Sequence, residues 1–304
     1  MRAKVFDECP KPDLQAHVEA SIQRMEQACP IRVLYYSLMG SIPLGMGNAS
    51  SDYDLLALYT PQAALTPAQY DIVNNKTPLF GPAHVPGQVN LLLADRALLS
   101  PVFMDMPEAT LMQAYPQHLN SLTVHDQAFD MTVLPGASSP KAASIFSDMF
   151  YYGNGVLVDR QGTLTGEFPA LKQCLRVYEF CKRRYVTTYG RLQHYLVKQG
   201  NVRLRTYLQS VNDLLAIEYA LDHRDIPPAH IAVMLDALKD PQVLETAQRF
   251  LAVNAQATTA KEKLLIDPDP CLNHWIAGRL ESLRPRLLAL YPQRTEVLFN
   301  VVLD

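Results

Sequence analysis

Leu14, Val18, Ile22 and Met25 recur at helical spacing, with Asp13 placed as an N-cap and Pro30 as a stop. Residues 13–28 therefore read as an amphipathic helix. The pattern then changes. Residues 31–38 form a β-rich apolar run, and residues 53–59 and 88–94 form two more. Residues 60–87 carry Thr60-Pro61, Asn74-Asn75, Phe80-Gly81-Pro82 and Pro86-Gly87 and read mainly as connections. A short helix is expected over residues 107–115. Beyond about residue 140 the period becomes helical, over 169–197, 202–223, 228–238, 241–264 and 271–290. Pro169 suits the first turn of its helix, where a missing N–H costs nothing. Leu204, Leu208, Val211, Leu215 and Tyr219 make an apolar stripe. Residues 295–303 alternate imperfectly and read as a last strand. The expected fold is α/β (α+β): residues 1–140 build a small mixed sheet with helices, and residues 141–304 form a mainly helical domain.

Composition narrows this picture in a few places. The chain has 304 residues and a net charge of −3, so no global field recruits nucleic acid or an anionic membrane. No apolar run approaches the roughly 20 residues of a membrane span. Residues 1–8 lack the apolar core of a signal peptide. The five cysteines include no CxxC pair, and the eight histidines no HxH or HxxxH pair. These features predict a cytoplasmic protein without a disulfide framework or a zinc site.

The chemistry concentrates between the first two apolar runs. Gly40-Ser41 is followed, after ten intervening residues, by Asp52-Tyr53-Asp54 at the start of a strand. Residues i and i+2 of a strand share a face, so both carboxylates aim one way and Tyr53 the other. Two close carboxylates need a compensating cation. Mg²⁺ suits them, because it takes one or two carboxylates together with phosphate oxygens. Gly40 and Ser41 offer a tight turn whose N–H groups and hydroxyl can hold phosphate. Ser51 is a further candidate phosphate contact, with turn formation as its plain alternative. The combination points to metal-assisted transfer from a nucleoside triphosphate.

Gly-Ser, about ten residues, then Asp-x-Asp on a strand resembles the signature of the DNA polymerase β-like nucleotidyltransferase superfamily. Gly40-Ser41-x-x-x-Gly45 with Ser51-Asp52-Tyr53-Asp54 is similar to its bacterial and phage branch linked to RNA repair. Weaker similarity continues at Asp105-Met106-Pro107-Glu108, Arg203–Leu208, Ile226-Pro227-Pro228 and Ala260-Lys261-Glu262-Lys263. The resemblance implies that Asp52 and Asp54 hold Mg²⁺ (or Mn²⁺), with ATP or another NTP as substrate. It also implies nucleotide contacts from Gly40, Ser41, Ser51, Arg205 and Tyr207. By analogy the third carboxylate of such folds falls on the strand over 88–94, where this chain has Asn90. Asp95 lies five residues on, with opposite strand parity. An amide cannot take a proton from an attacking hydroxyl, and losing a general base costs about 10²–10⁴ in rate. The basic residue often found just after Gly-Ser is Ile42 here.

Lys182, Arg183, Arg184, Arg191, Lys198, Arg203 and Arg205 span a stretch without an acidic residue, interleaved with Tyr185, Tyr189 and Tyr195. Such a run either grips triphosphate or RNA or is an exposed helical face with tyrosines packed beneath. The leading expectation is an enzyme moving a nucleotidyl group from an NTP to a hydroxyl of an RNA end, a protein or a small molecule. One alternative is a catalytically degraded scaffold that binds or supports. Another is a regulatory toxin or defence enzyme that modifies tRNA or protein.

Overall fold

The structure is a computed structural model that describes residues 14–48, 51–69, 89–98, 133–135, 141–152, 158–197, 200–257, 264–293 and 296. Helix α1 (Leu14–Ala28) leads into β1 (Ile31–Met39), β2 (Tyr53–Pro61) and β3 (Val89–Asp95). After α2 (Lys141–Tyr152) comes the two-residue strand β4 (Val158–Asp159). The sheet order is β3-β2-β1-β4. Strands β1 and β2 are antiparallel, as are β1 and β4, whereas β3 runs parallel to β2. The sheet is therefore mixed, as expected. It draws β4 from beyond residue 140, so residues on both sides of the expected boundary build it.

The helical part comprises α3 (Leu164–Lys172), α4 (Val177–Arg191), α5 (Leu204–His223), α6 (Ile231–Leu235), α7 (Pro241–Ala255) and α8 (Pro270–Leu290). A small pair, β5 (Val202–Arg203) and β6 (Leu265–Ile266), ties the start of α5 to the approach of α8. One helix expected over 169–197 is in fact two. Pro169 lies inside α3 rather than at a first turn. The chain turns over Gln173–Arg176 and restarts as α4, which ends in a π-helical turn, Leu192–Leu196. Leu171, Cys174, Leu175 and Val177, on either side of and within the break, are all buried in the large core. Helix α2, although amphipathic, and the two-residue strand β4 are not among the expected elements. The expected helix over 107–115 and strand over 295–303 lie outside the described residues, except for Glu296.

Two apolar cores lie on opposite faces of the sheet. Tyr53, Leu55, Ala57 and Tyr59 pack with Val18, Ile22 and Met25 of α1. Leu56 and Leu58, on the other face, pack into the large core of the helical half. This alternation is the strand period acting on burial. It places Asp54, of the same parity as Leu56, on the face turned toward the helices. No helix among the described residues is long and apolar enough to cross a membrane.

Candidate functional site

β1 ends at Met39, whose cross-strand partner is Asp54. Gly40 begins the turn that leaves the sheet, with φ +81°, a backbone conformation in which side chains with a Cβ are strained. A Cβ there would also meet Asp54 Oδ2 at 2.6 Å. Only glycine lets this carboxylate lie against the turn. The sequence separates Gly40 from Asp54 by thirteen residues, and the antiparallel register closes that gap.

The turn is held by Met46 N–H donating to the Ser41 carbonyl (2.8 Å) and Gly45 N–H to the Ile42 carbonyl (2.9 Å). Among the described residues, no acceptor takes the N–H groups of Ser41 and Ile42 or the Ser41 hydroxyl. These donors are what an anion at this turn requires. The Ile42 side chain packs on the α1-side core and beneath Gly47. It therefore serves packing where a basic residue would serve phosphate.

Arg205 joins from the first turn of α5. Its position is fixed by the β5–β6 pair and by Leu204 N–H donating to the Leu264 carbonyl (2.8 Å). Burial pushes the Arg205 guanidinium below its ordinary range, while Asp52 and Asp54 act in the opposite sense. Among the described residues, no hydrogen bond or ion pair within 4.0 Å holds this guanidinium. Two carboxylates thus lie within electrostatic range of a partly desolvated cation. Asp52 and Asp54 offer hard oxygen donors, suited to Mg²⁺, and lie near enough to Arg205 to act on its charge.

Asn90 is the register partner of Asp54 on the parallel strand β3. The expected third position is therefore the register neighbour of Asp54, and the sequence has Asn there. Asp95 is no substitute. β3 pairs with β2 without interruption, so Asp95 lies opposite Tyr59, at the far end from Asp54. There it is buried and accepts Ala97 N–H at 2.9 Å. Among the described residues, no group of three His, Cys, Asp or Glu side chains is arranged to hold a metal.

Two further candidates are engaged by partners within the fold. Tyr207 is fully buried, donates its hydroxyl to Asn273 Oδ1 (2.9 Å) and accepts Asp269 N–H (2.9 Å). Its ring packs on Phe250, so its hydroxyl is engaged in joining α5 to α8. Ser51 Oγ accepts Asn48 N–H (2.9 Å) and donates to Asn48 Oδ1 (3.3 Å), closing the loop before β2.

The basic run is largely consumed inside the fold. Arg184 is buried, pairs with Asp148 of α2 at 3.0 Å and lies over the Tyr151 and Phe180 rings. Arg183 pairs with Asp148 and Arg191 with Asp213. Lys182 is buried and donates to the Pro135 carbonyl. The acids that answer the run come from α2 and α5, outside the window in which it looked unopposed. Residues 182–184 and 191 are therefore held by partners inside the fold rather than forming a plain exposed face.

Sequence reading passed over His230 and Asn254, both of which hold the turn. Each stands in an unremarkable helical context, and no spacing signals either. No protein-family model, no curated protein and no solved structure matches this chain.

Proposed function

We propose that this protein is a Mg²⁺-dependent nucleotidyltransferase that moves a nucleotidyl group from a nucleoside triphosphate to an acceptor hydroxyl. The observation that carries the reading is the convergence of Asp52, Asp54 and Arg205 at a turn with N–H groups to spare. Carboxylates alone would repel a triphosphate, and arginine alone would hold no metal. Together they suit both partners of a metal–triphosphate complex.

In this reading Asp52 and Asp54 hold Mg²⁺ (or Mn²⁺), which when bound supplies Lewis-acid charge at the reacting phosphate. Gly40 and Ser41 hold the β- and γ-phosphates, and Arg205 offsets charge that grows on the departing pyrophosphate. The acceptor oxygen forms a bond to the α-phosphorus, and the bond from that phosphorus to the bridging oxygen breaks as pyrophosphate leaves. The acceptor's proton goes to a carboxylate or to water, because Asn90 cannot take it. The acceptor class spans an RNA end, a protein side chain and a small molecule.

Incubation with each α-³²P-labelled NTP and Mg²⁺ or Mn²⁺, with and without RNA, tests this. Label transfer that is lost in Asp52→Ala/Asp54→Ala is the expected result. Transfer that persists in that double variant overturns the metal–carboxylate mechanism. A second reading rests on Asn90 as the register neighbour of Asp54: a nucleotide-binding scaffold whose catalysis has decayed. It expects an NTP-dependent thermal shift without transfer, and a gain of transfer in Asn90→Asp.

A further inference from the structure

The turn that follows β1 is held at its two ends by different parts of the molecule. Gly40 lies against Asp54 of the sheet. Residues 44–48 are held by the turn's own hydrogen bonds and also by the helical half. Leu44 and Met46 are buried in the large helical core. Ile231 N–H, at the start of α6, donates to the Leu44 carbonyl at 2.9 Å. Asn254, buried in the last turn of α7, donates its amide to the Met46 carbonyl at 2.8 Å and accepts Asn48 Nδ2 at 3.4 Å through its own carbonyl.

His230 completes this grip. Gly45 has φ +68°, and the space its side chain would fill holds the His230 imidazole. A Cβ at residue 45 would sit 2.5 Å from Cε1 and 2.8 Å from Cδ2, with Nε2 closer still. The ring is seated on the bare face of the glycine. Gly45 N–H in turn closes on the Ile42 carbonyl, and Met46 N–H on the Ser41 carbonyl. Whatever holds residues 45 and 46 therefore sets how Ser41 and Ile42 present their N–H groups.

We infer that His230 and Asn254 are positioning residues of the phosphate-binding turn, so that the seat of the helical half on residues 44–48 sets nucleotide affinity. This rests on the reading of Gly40–Ser41 as a phosphate site. The turn is only half specified by the sheet. Its other half is imposed from residues about 190 to 210 positions away in the chain. Displacing α6 or the end of α7 would reshape the phosphate site without touching Asp52 or Asp54.

The test measures affinity for ATP, GTP, CTP and UTP with Mg²⁺, and thermal unfolding, in five proteins. These are the wild type, His230→Ala, His230→Phe, Gly45→Ala and Gly45→Ala/His230→Ala. Loss of the ring is expected to weaken the preferred NTP about tenfold or more, as small misplacements of positioning groups do. It should raise KM more than it lowers kcat, because β- and γ-phosphate contacts serve ground and transition states alike. His230→Phe keeps a flat ring on Gly45 and should recover most of the affinity. Gly45→Ala should lower the melting temperature more in the wild type than in the His230→Ala background, where the clash is relieved. Additive melting effects of the two substitutions would overturn the contact. Non-additive melting with unchanged NTP affinity in His230→Ala would overturn the positioning role. A wild type that binds no NTP, with the melting coupling intact, would overturn the phosphate reading and leave a packing contact only.

Discussion

Gly40 answers two demands at once, a left-handed backbone and a carboxylate pressed against its Cα. Gly40→Ala meets neither. The backbone strain costs about 1–2 kcal/mol, and the added methyl displaces Asp54 from the turn. The expected outcome is a modest fall in melting temperature with complete loss of metal-dependent NTP binding, separable by thermal shift with and without Mg²⁺–NTP. Arg205 is the complementary test. Its guanidinium is desolvated near Asp52 and Asp54, so a phosphate oxygen arriving there gains a charge-assisted hydrogen bond. Such bonds contribute about 1.5–3 kcal/mol, so Arg205→Ala should weaken NTP binding roughly 10- to 150-fold. Far-UV spectra should stay unchanged, since no ion pair among the described residues is broken.

At the scale of elements, two arginines decide how strands and helices seat. β1 has an irregular register between Val33 and Tyr35, and the side-chain parity switches there from Val33 to Tyr36. The backbone groups at the irregularity are satisfied by side chains. Val33 N–H donates to Glu26 of α1, and the Val33 carbonyl accepts from Arg160, which also grips Glu19 and Glu26. Without that grip the bulge would leave buried polar groups unpaired, which costs about 1–3 kcal/mol per group. Arg184 does the equivalent work between α4, α2 and α5. It is buried between Asp148 and Asp213, and burial is opposed by those carboxylates, which keep it charged. Arg184→Ala leaves Asp148 to Arg183 and Asp213 to Arg191 and empties the buried space over the Tyr151 and Phe180 rings. It should cost about 3 kcal/mol in urea unfolding, the low end for breaking a buried pair, because each acid keeps one partner. A smaller effect is expected at Asp240, which caps α7 through Gln242 and Val243 N–H. Asp240→Ala should cost about 1 kcal/mol, and a larger loss there would point to tertiary contacts.

The molecule as a whole depends on keeping buried acids neutral at high pH. Burial pushes the Cys174 thiol up to about 11 and the Cys181 thiol up to about 12, from an ordinary 9.0. Tyr35 and Tyr152 are likewise pushed up to about 12 by burial, from 10.0. Between the ordinary and the folded values, the unfolded chain has released these protons and the folded one has not. Stability therefore holds below about pH 9 and falls as pH rises toward 12. Urea midpoints should be flat from pH 7 to 8.5 and decline above 9, with a shallower decline in Cys181→Ala. The same burial should leave Cys174 and Cys181 inert to thiol reagents at pH 8 in the native state, with Cys271 reacting first among the described cysteines.

Periodicity was enough to locate α1, β1, β2, β3, α5 and α8 to within a few residues, because each buries a face whose spacing is local. It was also enough to put Asp54 on the face opposite Tyr53 and to single out Gly40, since strand parity and glycine's backbone freedom are local too. It could not divide 169–197 into two helices, because that break serves burial against neighbours distant in the chain. Nor could it see that Asp148 and Asp213 answer Arg184, that Tyr207 is spent on Asn273 and Asp269, or that His230 rests on Gly45. Charge pairing and close approach act through space, and a linear pattern carries no record of which distant residue arrives. Local rules chose the two carboxylates and the turn. The packing of the helical half onto the sheet brought Arg205 near enough for them to act on its charge.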